Sequence, residues 1–145
     1  METFKFNYEC SRPWGSFHII DECDRQRFLS TYFPQHQDKM SGNEVLKFLK
    51  VLPNQRLSWQ YHKNRGEEWY VVQGPVKAYT SWTDDISNET LLQTGDSISL
   101  LSLQRHMLEG LSNEGIVAEI WVHNDFLNPS TEDDIVRLID NYGRI

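Results

Sequence analysis

The chain has 145 residues, of which 39% are hydrophobic and 24% charged, with a formal net charge of −7. That length supports one domain with a real core, and 5 Trp, 6 Tyr and 7 Phe argue against disorder. The acidic balance excludes general binding to nucleic acid or to an anionic membrane, because both need a basic surface; a phosphorylated small molecule stays compatible, since a few local arginines serve it.

The 2 cysteines, Cys10 and Cys23, make no disulfide framework and are expected to be reduced thiols. No membrane-length apolar run and no signal-like start is visible, so the expected location is the cytoplasm and no membrane partner is expected.

In chain order, residues 1–16 read as an irregular arm ending in Arg12-Pro13-Trp14-Gly15. Phe17 to Ile20 is a short strand. Residues 22–43 are rich in charged and polar groups, among them Asp24, Arg25, Arg27, His36, Asp38 and Lys39. Their apolar members Phe28, Leu29, Tyr32 and Phe33 fit a short amphipathic helix or packed loop, an inserted excursion from the sheet. From Val45 strand follows strand: Val45–Leu52, Leu57–His62, Glu67–Gln73, Val76–Trp82, Glu89–Gln93, Ser97–Leu103, Gln104–Leu108 and Ile116–His123. Turn signals such as Pro53-Asn54, Gly74-Pro75, Thr94-Gly95-Asp96 and Ser112-Asn113-Glu114-Gly115 separate them. Short strands at even spacing predict an all-β sandwich or barrel. One C-terminal helix is expected after Pro129, with Ser130 as cap, Asp133 in the capping-box position and Ile135, Leu138 and Ile139 as its apolar face. Glu132 to Asp134 then fit the start of that helix, where negative charge is favoured.

The chemistry-bearing run is Gln60-Tyr61-His62-Lys63-Asn64-Arg65-Gly66-Glu67-Glu68-Trp69. Side chains alternate across a strand, so Gln60 and His62 point the same way. Glu67 opens the next strand, and His106 stands far along amid Leu100, Leu101, Leu103, Met107 and Leu108. Alone, the polar strand face reads as solvated and the late histidine as a core residue; together, imidazole, carboxylate and amide oxygen suit a divalent first-row metal.

The pattern Gln60-x-His62-x4-Glu67-x6-Gly74 resembles the first cupin motif, with Gln for its first His. Gly95-x5-Leu101-x-Leu103-x2-His106 resembles the second, with Leu101 and Leu103 in place of its usual Pro and Gly. The nearer likeness is to the C-terminal cupin domain of type II mannose-6-phosphate isomerase/mannose-1-phosphate guanylyltransferase. Arg12-Pro13-Trp14-Gly15-Ser16-Phe17, Pro53-Asn54-Gln55-Arg56-Leu57-Ser58, Arg65-Gly66-Glu67-Glu68-Trp69, Glu132-Asp133-Asp134-Ile135-Val136-Arg137 and Tyr142-Gly143-Arg144 carry it over nearly the whole chain outside 22–43. The resemblance implies a single cupin domain over 1–145, a double-stranded β-helix or jelly-roll barrel. It also implies metal ligands at Gln60, His62, Glu67 and His106. Zinc is the first choice of ion, with manganese, cobalt, nickel or iron as alternatives.

The likeness departs at Lys63, Asn64 and Glu68, where the family run has histidines, and at Gly66, where it has Ala. These changes spare the implied ligands and alter groups around them. The implied activity is aldose–ketose isomerisation of a sugar phosphate of the mannose 6-phosphate type, with no guanylyltransferase activity expected. A metal would polarise the substrate oxygens and a side chain would shuttle the proton. The candidates are Glu68, Lys63 and His123. Arg65 is the first candidate for the phosphate, followed by Arg12, Arg56 and Arg105. The alternatives are a non-catalytic cupin that binds a sugar or sugar nucleotide and another cupin enzyme such as an epimerase or oxygenase. A homodimer is a fold-level expectation.

Overall fold

The computed structural model describes residues 3–38 and 42–144. Its elements are β1 (Phe6–Arg12), β2 (Gly15–Ile20), α1 (Arg25–Tyr32), β3 (Leu46–Val51), β4 (Trp59–Tyr61), β5 (Arg65–Gln73), β6 (Val76–Ser81), β7 (Asn88–Leu92), β8 (Ser97–Leu100), β9 (Arg105–Gly110), β10 (Gly115–His123) and β11 (Val136–Ile139). One sheet has the order β1-β2-β3-β10-β5-β8 and the other β11-β4-β9-β6-β7, with every strand pairing antiparallel. The all-β barrel expected from the strand spacing is the architecture found.

Two cores explain the apolar patterning. Between the sheets lie Trp14, Phe17, Leu49, Val51, Trp69, Val71, Val76, Leu100, Leu108 and Val117. The opposite face of the larger sheet packs Phe48, Ile116, Ala118 and Ile120 under Phe28, Leu29, Tyr32 and Phe33 of the α1 segment. Strand β10 is therefore buried on both faces, which is why Gly115–Trp121 carries no solvent-facing alternation. Phe28, Tyr32 and Phe48 are mutually edge-on, with Phe28 and Phe48 rings 5.2 Å apart at 73°, the arrangement that ring quadrupoles favour. The excursion at 22–43 thus covers the sheet with a helix; its residues 39–41 lie outside the described residues.

Two expectations are corrected. The arm before Phe17 contains β1, hydrogen-bonded along β2 from Phe6↔Ile20 to Arg12↔Gly15. The C-terminal helix is absent: Val136–Ile139 is β11, an edge strand on β4 with Val136 opposite Tyr61 and Arg137 opposite Gln60. The only α-helix among the described residues is α1. Ser130 and the acidic residues do not cap a helix. The Asp134 carboxylate instead accepts the backbone N–H groups of Lys63 and Asn64, both at 2.9 Å, and the Ser130 hydroxyl at 2.6 Å. Those amides and the open edge of β4 supply partners that outweigh a local helical pattern.

Backbones approach closely where β2 enters the sheet. A Cβ on Gly15 would stand 1.9 Å from the carbonyl oxygen of Lys50, so only glycine allows the β2–β3 pairing there. Leu103 adopts φ 70°, in the left-handed region, at the position where the second cupin motif usually carries Gly. Gly15→Ala should destabilise the fold by about 2–4 kcal/mol, read as a lower urea midpoint; an unchanged midpoint would show that the strands can separate at no cost.

Candidate metal centre

Strand alternation sorts the charged run of β5. Arg65, Glu67, Trp69 and Val71 point between the sheets, while Gly66, Glu68 and Tyr70 point to the other face. Opposite them, β4 brings Gln60 beside His106 of β9, and His62 follows β4 directly. Ligand atoms of His62, Glu67 and His106 lie within 4.8 Å of one another, all three residues buried, and this group can hold a metal ion. His62 Nε2 is 3.3 Å from Glu67 Oε2, and His106 Nε2 is 3.4 Å from Glu67 Oε1.

The imidazoles are oriented from behind. The Nδ1–H of His62 donates to the Asp134 carbonyl at 2.7 Å, and the Nδ1–H of His106 to the Gln104 carbonyl at 3.1 Å. A carbonyl can only accept, so each Nδ1 carries a proton and each Nε2 is turned toward the carboxylate. This backing is what metal-ligating histidines require. Burial, the largest influence on His62, pushes its pKa down to about 4 despite the neighbouring Glu67 charge, so the ring is neutral at pH 7. Burial opposes the charge on Glu67, but His62, His106 and Arg65 outweigh it and hold the carboxyl well below its ordinary value. Two imidazoles held from behind around an ionised carboxylate are a donor set for a divalent metal. Gln60 donates its amide N–H to the Ser58 carbonyl at 3.3 Å, which leaves the amide oxygen as its acceptor beside His106.

The centre opens into a cavity of about 90 Å³ between the sheets, and Gln60, Glu67 and His106 line it. Cationic side chains line it too: Arg12, Lys47, Arg65, Arg137 and Arg144. Arg65 is buried, donates to Glu67 Oε2 at 2.9 Å and Ser130 Oγ at 2.8 Å, and lies 3.5 Å from the Trp121 ring centroid. Burial, then the charges of Arg144 and Arg12, lower the Arg137 pKa. Among the described residues the Nε of Arg137 is buried without a hydrogen-bond partner. Arg144 is held by Asp140 through contacts of 2.7 and 3.0 Å.

Of the residues proposed from sequence, the structure brings together Gln60, His62, Glu67, His106 and Arg65, and Arg12 lines the same cavity. It does not bring Glu68 or Lys63 to the cavity. Glu68 follows an inward residue, so the pleat turns it outward, where it pairs with His36 and accepts from Ser99 Oγ at 2.9 Å. Lys63 is exposed in the β4–β5 turn, anchored by its backbone to Asp134. His123 also lies elsewhere, between the Ser130 N–H and the Asn43 carbonyl, both at 3.0 Å. Arg105 pairs with Asp84 at 2.9 Å and Arg56 with Asn141 at 3.1 Å; neither lines the cavity. Sequence reasoning missed Arg137 and Arg144, which sat on an expected helix and its tail, and Lys47. It also missed Glu119, which alternation along β10 places on the same face as Trp121.

A two-sheet barrel with a His-Glu-His centre between its sheets is a cupin. Residues 31–140 match the family described as Mannose-6-phosphate isomerase C-terminal, and the chain belongs to that family. The mannose-1-phosphate guanylyltransferase of Escherichia coli (strain K12) is 31% identical over 137 residues, 94% of this chain and 23% of that protein. The alginate biosynthesis protein AlgA of Pseudomonas aeruginosa is 29% identical over 136 residues, 94% and 23% of the two chains. This chain therefore spans under a quarter of the length of the curated relatives it matches. Among solved structures, the capsular polysaccharide assembling protein CapF of Staphylococcus aureus superposes with a TM-score of 0.63 at 16% identity, over 91% of this chain and 34% of that one. KdgF of Halomonas sp. gives 0.61 at 14% identity, over 92% and 98%. Both share the fold. No helix among the described residues is long and apolar enough to cross a membrane.

Metal should bind at one ion per chain and raise the melting temperature, by an amount equivalent to about 2.7 kcal/mol at 100 times the dissociation constant. Glu67→Ala should abolish both effects; elemental analysis after desalting checks it, and metal retained by the variant would place the ion elsewhere. A pH dependence follows from His62. Its folded pKa is depressed while the unfolded ring titrates near about 6.5, so the unfolded state takes up the proton first as pH falls. This group's stabilisation of the metal-free protein is full above about 6.5 and is lost on descending to about 4. Denaturant midpoints between pH 7 and 4 should fall less steeply in His62→Gln than in the wild type.

Proposed function

We propose that this chain is a metal-dependent aldose–ketose isomerase acting on a hexose phosphate of the mannose 6-phosphate type. The carrying observation is the joining of a His62–Glu67–His106 centre to a cavity lined by three arginines besides Arg65, namely Arg12, Arg137 and Arg144. Like charges gathered at one opening repel, and a dianionic phosphoryl group removes that repulsion; guanidinium forks match its oxygens. The buried Arg137 Nε without a partner supports an anion there. Family membership and curated relatives that handle mannose 1-phosphate point to the same substrate class.

Gln60, His62, Glu67 and His106 would hold the ion, zinc being the first choice for two imidazoles and a carboxylate. When bound, the metal supplies Lewis-acid polarisation of a substrate carbonyl or hydroxyl oxygen. Arg12, Arg137 and Arg144 bind the phosphate and thereby orient the sugar, with its reacting carbons toward the metal end of the cavity. Arg65 holds the Glu67 carboxylate and, through Ser130 and the Thr131 carbonyl at 3.0 Å, ties the segment that backs His62 to the barrel. The buried Trp69 indole and Phe17 ring form an apolar part of the wall of this otherwise charged cavity.

Purified protein loaded with metal should interconvert mannose 6-phosphate and fructose 6-phosphate, and His62→Ala should abolish turnover. Arg137→Ala should raise KM for the phosphorylated sugar at least tenfold with the metal content unchanged. Sugar-phosphate binding without turnover under every metal tested would refute the isomerase and favour a binding module of the same fold.

A further inference from the structure

We infer that Glu119 is the proton-transferring group of this cavity, a reading that rests on the isomerase proposal above. The acid–base residues suggested by the sequence all stand outside the cavity, so the isomerisation lacks a base until another is found. Among the described residues, the carboxylates and imidazole that line the cavity are Glu67, His106, Glu119 and Glu132. Glu67 and His106 belong to the metal set. Glu132 has a side chain 57% exposed and is committed to Lys47 at 3.0 Å. Glu119 remains, 4% exposed and without a ligand role.

Its setting is that of a positioned acid–base group. Across the larger sheet, Lys47 of β3 lies opposite Glu119 of β10, which lies opposite Trp69 of β5. The Trp69 indole donates to Oε2 at 2.8 Å and the Trp121 indole to Oε1 at 2.9 Å, which fixes the carboxyl plane. Two neutral donors leave lone pairs free, since a carboxylate offers about four. Trp69 is in turn edge-on to the His106 ring at 5.7 Å, so one indole separates Glu119 from the metal centre. The charged groups facing it are Glu67 and Arg65 from β5 and Lys47 from β3 at 3.9 Å. Burial first, then the Glu67 charge, raise the Glu119 pKa to about 7, against the opposing pull of Lys47, Arg65 and the Trp69 hydrogen bond. A base near neutrality accepts and returns a proton at comparable cost.

In the forward step the Glu119 carboxylate takes the proton from C2 of the aldose. The C–H electron pair becomes the C1=C2 bond, the carbonyl pair passes to O1, and the O2 hydroxyl proton moves to O1. In the return step the O2 pair forms the C2=O2 carbonyl and C1 takes the proton back from Glu119. No oxidant or further reactant is consumed.

The test compares wild type, Glu119→Gln and Glu119→Asp as whole chains, each checked for metal content and melting temperature. In metal-free wild type, the indole N–H resonances of Trp69 and Trp121 should titrate together with a midpoint near 7, and in Glu119→Gln that transition should vanish. In loaded protein, Glu119→Gln should lower kcat for isomerisation and for exchange of the C2 hydrogen with solvent deuterium by about 100-fold or more, with KM within threefold. Glu119→Asp should recover part of kcat. If wild type neither isomerises nor exchanges, the isomerase proposal fails and this assignment falls with it. If wild type is active and Glu119→Gln, folded and metal-loaded, exchanges at the wild-type rate, only the assignment is overturned. Should Glu119→Gln not fold, the same kcat and pH profile in Glu119→Asp as in wild type would overturn it.

Discussion

The Glu67 carboxylate stands between two imidazoles, and the rest of the chain is arranged to keep it there. An ionised carboxylate buried between sheets is costly unless it is met by hydrogen bonds, cations or a metal. Here Arg65 meets one oxygen directly, and the Nε2 atoms of His62 and His106 face both. Each imidazole is held from its far side by a backbone carbonyl, one from the β8–β9 connection and one from the segment leading into β11. The centre is thus assembled by three stretches of chain distant in sequence. Rigid strands supply Glu67 and His106, while the returning C-terminal segment fixes the tautomer of His62.

That segment links the fold to the chemistry. Asp134 serves the site through its carbonyl and the scaffold through its carboxylate, which satisfies two backbone amides in the β4–β5 turn. β11 then brings Arg137 to the cavity on the open edge of β4. On the far side of the larger sheet, α1 and its aromatic cluster bury the outer face of β3 and β10. This second core makes the row Lys47, Glu119 and Trp69 part of a sheet packed on both faces. Such packing leaves buried polar groups few alternative rotamers.

Much of the site was legible because strand periodicity is local. Alternation alone puts Gln60 with His62, and Arg65 with Glu67. The same rule applied one residue further sends Glu68 to the opposite face, and along β10 it sets Glu119 beside Trp121. The motif likeness, which has a histidine where this chain has Glu68, competed with that rule, and the pleat decided. Arg137 and Arg144 were hidden for another reason: Ser130, Asp133 and the spacing of Ile135, Leu138 and Ile139 form a sound helical pattern. A strand edge in need of a partner overrode it.

By itself the sequence determined the all-β barrel, an excursion at 22–43 that fitted a short helix or a packed loop, and His62, Glu67 and His106 as residues able to hold an ion. These depend on periodicity, turn chemistry and motif spacing, which are properties of neighbouring residues. Only the tertiary structure decided that residues 136–139 form a strand, that Glu68 and Lys63 lie outside the cavity, and that Glu119 and a set of arginines lie within it. Those outcomes depend on register between strands far apart in the chain, and register is set by which buried faces and unpaired backbone groups find each other on folding.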